Sequence, residues 1–237
     1  HGAPYVVSDW KTPSGRIHVG ALRGVLLHDA AARALRAGGH TVRYIYGFDD
    51  FDPFDKIPSY LDQAGYAPYL GQPLHTVPAP GAAGQPQSDV GPDTNYARFY
   101  ADEFEAVYRS LGVESETLRA VELYRAGLMD EAIRLVLDHA AAVTAAYETV
   151  IAHRSSDRVA KPLVVGLPIN MVCEACGRLA TTIATEWDGQ QVTYDCRDGV
   201  VPYVSGCGHH GHTSPFGGTA KLPWKVDWPA KWWLLET

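Results

Sequence analysis

The sequence has little of the positive charge on which proteins that coat nucleic acid depend: 20 Lys and Arg stand against 27 Asp and Glu, a formal charge of −7. Nonspecific binding to a phosphate backbone works by Lys and Arg displacing counterions, so a coating role on DNA or RNA is excluded, while a local RNA-binding face is not. The chain also lacks any apolar run of about 18 residues, the length a bilayer-spanning helix needs, and no basic stretch followed by an apolar core opens it. It reads as soluble and cytoplasmic, without membrane or DNA among its partners. Cysteine is scarce, and the four present all fall between Cys173 and Cys207. In a chain with no secretion signal, so tight a group points to a metal before disulfides. An initiator methionine is absent too: the chain opens on His1 and stops at Thr237 soon after a Trp-rich run, which reads as a piece of something longer.

What is present has the make-up of a globular protein, since 46% hydrophobic and 20% charged residues over 237 positions suffice for one large domain or two small ones. Tyr5 to Ser8 is a short apolar run, broken by Thr12-Pro13-Ser14-Gly15, and a helical pattern starts near His18. Leu22, Val25, Leu26, Ala30, Ala34 and Leu35 recur at spacings of three and four, and Gly38-Gly39 ends the helix. Thr41 to Tyr46 is rich in β-branched and aromatic residues, so residues 5–46 predict a βαβ unit with a parallel sheet. Between Gln72 and Asp93 the composition turns to Pro, Gly, Ala and Gln, which predicts a loop that buries little. Helices are predicted again over Asn95 to Leu111 and Gly127 to His153, the second with Ile133, Val136, Leu137, Ala140, Val143, Tyr147 and Val150 on one packing stripe. From Leu163 to Ser214 short alternating runs lie between Cys-Gly turns, the pattern of a small antiparallel module.

The first strand-to-helix turn is where an open α/β sheet places its nucleotide crevice. Gly15 and Gly20 permit close approach of backbone to a ligand, the helix N-terminus offers N–H groups to phosphate, and His18 can donate to it. The blander reading is an ordinary turn with Ser14 as cap and His18 packed inside. His18-Val19-Gly20-Ala21 resembles the HIGH signature of class I aminoacyl-tRNA synthetases, and Thr12-Pro13-Ser14-Gly15 resembles the lead-in of the class I lysyl-tRNA synthetases. Tyr44 to Pro58 is similar to that family's Asp-Asp-x-Asp-Pro block. Glu122 to Gly127, Cys173 to Gly177 and Lys221 to Trp232 also look like its blocks, in the same order.

The resemblance implies a Rossmann-like α/β nucleotide-binding fold of the HIGH type, with an inserted helical region and a zinc-ribbon subdomain. The expected division is 1–90 for the first half of the catalytic domain, 91–162 for a helical insertion or connective region, 163–218 for the ribbon and 219–237 for a return to the catalytic domain. It further implies lysine–tRNA ligase chemistry: ATP (with Mg2+) activates lysine, and the lysyl group passes to tRNA-Lys. By the family pattern His18 and Gly20 are catalytic, Pro13, Ser14, Gly15, His18 and Gly20 hold ATP, and His18 stabilises charge growing on phosphate. A lysine ammonium out of water needs acceptors, for which Asp49 and Asp50 are candidates, with Thr12 bonding the substrate and Trp224 and Trp228 walling its stem.

Cys173-x2-Cys176 is one zinc knuckle, and Cys196 with Cys207 completes a tetrahedral set, with His209, His210 or His212 as alternatives to Cys196. So small a module has too little core of its own, so zinc has a structural role. Three departures from the family pattern stand out. Pro78-Ala79-Pro80 replaces a Pro-Asp-Pro and Cys-His motif, so no second zinc is expected there; Ala21 fills the fourth HIGH position; and Trp10 stands where a small residue is common. No KMSKS-like loop precedes Thr237, and the anticodon-binding domain is missing, as expected of a fragment. The alternatives are a shortened paralogue that binds tRNA or a partner through its ribbon, or one activating an amino acid for an acceptor other than tRNA.

Overall fold

The computed structural model describes residues 4–152 and 166–235, which divide into two compact units, one comprising residues up to Leu123 with the chain from Trp232, the other Tyr124 to Lys231. In the first, β1 (Tyr5–Lys11), α1 (Val19–Ala37) and β2 (Val42–Phe48) form the expected βαβ unit, with β1 and β2 paired in parallel from Tyr5↔Val42 to Lys11↔Phe48. The short α2 (Gln63–Tyr66) and the longer α3 (Tyr96–Ser110) follow, then β3 (Glu116–Arg119), which pairs in parallel with β2 to give the order β1-β2-β3. α4 (Ala120–Arg125) continues directly from β3. α3 and β3, which fall within the 91–162 region, lie in the same compact unit as β1 and β2.

From Tyr44 to Phe48 every residue of β2 is buried, so the strand does not alternate and is covered on both faces, as central parallel strands are. One core gathers Tyr44, Tyr46 and Phe48 with Val25, Phe104 and Tyr108, the Tyr46 and Phe48 rings meeting edge to face at 5.3 Å. α1 turns Val25, Asp29 and Ala32 inward, whereas Leu26 is 42% exposed and Ala30 and Ala34 are also outside. This corrects the stripe expected from spacing. Small Ala32 and the Val25 carbonyl, which accepts from the Tyr44 hydroxyl at 3.0 Å, let the helix lie close on that face of the sheet. The Pro/Gly stretch is a second correction: Leu74, Val77 and Ala79 are buried, and Leu74 and Val77 pack with Phe54, Tyr66, Tyr96 and Tyr100. A loop with few apolar residues still buries them when aromatic rings from two neighbouring segments close over it.

Gly47 is required by its neighbour in the sheet. A Cβ there would stand 2.2 Å from a carbon of the half-buried Trp10 indole, which lies across it. Gly47→Ala is expected to lower stability by about 1–3 kcal/mol, the range of overpacked sites, and urea unfolding reads it. Adding Trp10→Gly should recover most of the loss; no recovery would show that the clash is not the cause.

In the second unit, α5 (Asp130–Asp138) and α6 (Ala140–Ala152) replace the single stripe expected from Gly127. His139 ends α5 with φ −116 and ψ 27, so Ile133, Val136 and Leu137 are buried while Val143 and Tyr147 lie on a separate helix, half-buried. The expected end at His153 and the 162/163 boundary fall outside the described residues. β4 (Asn170–Met171) pairs with β8 (Ala220–Lys221), and β5 (Thr182–Trp187), β6 (Val192–Cys196) and β7 (His210–Thr213) form an antiparallel sheet. α7 (Trp224–Leu235) follows. Among the described residues no helix is long and apolar enough to cross a membrane.

Candidate functional site

β1 hands the chain to α1 through Thr12 to Ile17, and two phenols pin that turn. The Tyr96 hydroxyl donates to the Ser14 carbonyl at 3.0 Å, and the Tyr60 hydroxyl accepts the Arg16 N–H at 2.6 Å. Burial pushes the Tyr96 phenol well above its ordinary range, so it remains a donor. Gly15 has φ +150, and a Cβ there would stand 2.8 Å from the Tyr60 oxygen; this position needs glycine both for conformation and for room. Thr12 donates to Asp52 at 2.6 Å, tying the turn to the segment after β2.

His18 caps α1 with extended backbone, φ −75 and ψ 159, and its Nδ1 accepts the Gly20 N–H at 3.0 Å. An acceptor Nδ1 carries no proton, so a neutral ring bears its hydrogen on Nε2. The imidazole is exposed, not packed inside, and Ser14 is not the cap. A Cβ at Gly20 would sit 2.7 Å from the ring, so this glycine is what lets the imidazole fold back over the helix start.

His18, Thr12, Ser14 and Gly15 line one cavity of about 600 Å³. Pro13 is buried under the same turn, and Gly20 lies in the first turn of α1. The rest of the lining comes from Asp55 to Tyr60 together with Gln63, and from Lys11, Arg16 and Ile17. Sequence reasoning missed these lining residues. Lys56 stood inside the Tyr44–Pro58 block without a role, and Tyr60, just beyond it, carries no signal of its own.

Asp49 and Asp50 follow β2 and are almost wholly buried, at 2% and 4% exposure. Asp50 accepts the Val121 N–H at 2.8 Å, so one of its oxygens caps the start of α4. Trp224 and Trp228 belong to the second unit, where their rings meet edge to face at 5.0 Å on α7. Trp224 is 52% exposed, and the Lys225 ammonium stands 5.9 Å from its ring centre.

In the second unit the sulfurs of Cys173, Cys176, Cys196 and Cys207 all lie within 4.8 Å of one another. Cys173–Cys207 is 3.6 Å and Cys176–Cys196 3.8 Å, against about 3.8 Å between ligands of a tetrahedral site with Zn–S near 2.3 Å. The donor set and its size therefore fit zinc. The Cys207 N–H and the Thr181 hydroxyl approach Cys196 Sγ at 3.3 and 3.1 Å, which suits a thiolate. Cys196 Sγ stands among the other three sulfurs, while His210 is turned to Asp195 at 2.8 Å and His212 to Thr193 at 3.0 Å. Burial pushes the Cys173 thiol up to about 12, so a metal binding there displaces its proton.

A second polar centre lies in the same unit. Asp227 accepts from Lys221 at 3.1 Å, from Lys231 at 2.6 Å and from the Tyr124 hydroxyl at 2.6 Å, all of them buried. The Leu222 N–H in turn donates to the Tyr124 oxygen at 3.1 Å.

A cationic cavity thus lies at the end of β1, faced by a capping imidazole, in an α/β fold with a parallel sheet. The family model described as "tRNA synthetases class I (K)" matches residues 2–237, and the chain belongs to that family. It is 38% identical to lysine–tRNA ligase 1 of Methanosarcina acetivorans over 98% of this chain and 39% of that protein. It is 34% identical to the lysine–tRNA ligase of Methanococcus maripaludis over 96% of this chain and 38% of that protein. For the Thermoplasma acidophilum lysine–tRNA ligase the figures are 30%, 98% and 41%. The chain thus spans about two-fifths of the length of the curated relatives it matches.

Proposed function

We propose that this chain is the N-terminal catalytic portion of a lysine–tRNA ligase. ATP lies in the cavity beside His18, with Mg2+ accompanying its phosphates, and a lysine carboxylate oxygen attacks the α-phosphorus. Lysyl-adenylate forms and pyrophosphate leaves; the tRNA-Lys terminal hydroxyl then takes the lysyl group and AMP departs. Ser14, Gly15 and the start of α1 hold phosphate, over buried Pro13, and the Nε2 hydrogen of His18 meets the charge that grows there. Thr12, Asp49 and Asp50 are the residues of the first unit assigned to lysine, and the parallel sheet with α1 is assigned to the first half of the nucleotide fold. The observation that carries the reading is the exposed imidazole, oriented by Gly20 at the mouth of a cationic cavity. Exchange of labelled pyrophosphate into ATP, measured with each of the twenty amino acids in turn, tests it. Exchange driven by lysine supports the assignment, and exchange driven by a different amino acid overturns it.

The four cysteines hold a structural zinc on this reading. Metal analysis should give one zinc per chain, reduced by Cys196→Ser. Because apparent binding energies of structural zinc are about 10–16 kcal/mol in small modules, chelation should unfold β5–β7 and shift the Tyr194 environment, seen by tyrosine fluorescence. A chain without zinc whose melting is indifferent to chelators would sink this assignment.

A further inference from the structure

We infer that Lys56 is the polyphosphate-binding cation of the cavity, contributed by residues 55–60 of its lining. The inference rests on the nucleotide reading and adds a residue to it. The chain as a whole is acidic, yet this cavity is lined by Lys11, Arg16 and Lys56 against the single carboxylate of Asp55. A local excess of positive charge in a concave, partly enclosed site concentrates anions. The three cations are not equivalent. Arg16 is drawn toward Glu103 at 3.6 Å and lies by the Tyr60 ring. Among the described residues neither Lys11 nor Lys56 has an ion-pair partner within 4.0 Å.

Position separates Lys56 from Lys11. Lys11 ends β1 on the same chain segment as the turn, whereas Lys56 comes from residues 55–60, so a ligand touching both His18 and Lys56 is held by two separate segments of the chain. The second segment is fixed on both sides of Lys56. Phe54 is fully buried and exchanges backbone hydrogen bonds with Gln72 at 2.8 Å and Gly71 at 2.9 Å, and the Pro58 carbonyl accepts from Leu61 N and Gln63 Nε2 at 3.0 and 2.9 Å. A point-charge ammonium on a pinned segment suits a multiply charged phosphate chain more than a single phosphate.

Titration calorimetry of the 237-residue chain with ATP, adenosine and inorganic tripolyphosphate, at low and moderate salt, tests this. Lys56→Met should weaken ATP and tripolyphosphate by about tenfold or more, the size of a lost charge-assisted contact, flatten their salt dependence and leave adenosine unchanged; Lys56→Arg should restore most of the affinity. If Lys56→Met leaves ATP unaffected, or weakens adenosine equally, the inference falls while the nucleotide site stands. If the wild-type chain binds none of the three, the nucleotide reading falls and Lys56 with it.

Discussion

His18→Ala is expected to slow lysine-dependent ATP–pyrophosphate exchange by about 10²–10³-fold, the cost of one preorganised donor to developing charge, while the Kd for lysine stays as it was. The split follows from where the ring is and how it is held. Its Nδ1 is spent on the Gly20 N–H, so the hydrogen it can give lies on the opposite edge. An amino acid carboxylate attacking phosphorus puts charge on phosphate oxygens only as the transition state is approached, so a donor aimed there acts on rate more than on ground-state binding. Gly20→Ala should have an intermediate effect, because the added Cβ stands 2.7 Å from the imidazole and moves it without removing it. A His18→Ala protein that loses only a few-fold in exchange, or whose lysine affinity falls in proportion, would contradict the role.

The parallel βαβ unit was legible because its signals are local: aromatic and β-branched residues over Thr41 to Tyr46, and a Gly pair closing the helix. The Cys-x2-Cys knuckle was legible for the same reason, whereas the approach of Cys196 and Cys207 to it is seen only in the folded chain. What stayed hidden depends on tertiary closure. Spacing places Leu26 on the inward stripe of α1, yet the helix approaches the sheet through Val25 and Ala32. The cavity lining beyond the turn is made by residues whose types say nothing of a shared site until Tyr60 is seen holding the Arg16 amide. In the Lys221 to Trp232 block the tryptophans drew the eye. Asp227 and Lys231, four apart, have the spacing of a surface helix pair, and only the packing shows them to be buried.

That burial makes Asp227→Asn the substitution with the largest expected effect on stability, about 3–5 kcal/mol, as when one member of a buried ionic cluster is removed. The carboxylate is shared by two ammonium groups and a phenol, none of which is more than slightly exposed. Complete burial opposes its ionisation, but Lys221, Lys231 and the Tyr124 hydroxyl outweigh that and hold the carboxyl below its ordinary range. A carboxyl lowered in the folded state contributes stability that is fully present above its unfolded value and is lost as pH falls through the folded one. Denaturant unfolding of the wild-type chain should therefore weaken on the acid side of the ordinary carboxylate range, and the Asn variant should lose that share of the acid dependence. Replacing the three charges together by apolar residues of similar volume should restore much of the stability, because the desolvation cost of the ions goes with them. An Asn variant as stable as the parent at neutral pH would mean that the cluster is not what holds Lys221 and Lys231 inside the second unit.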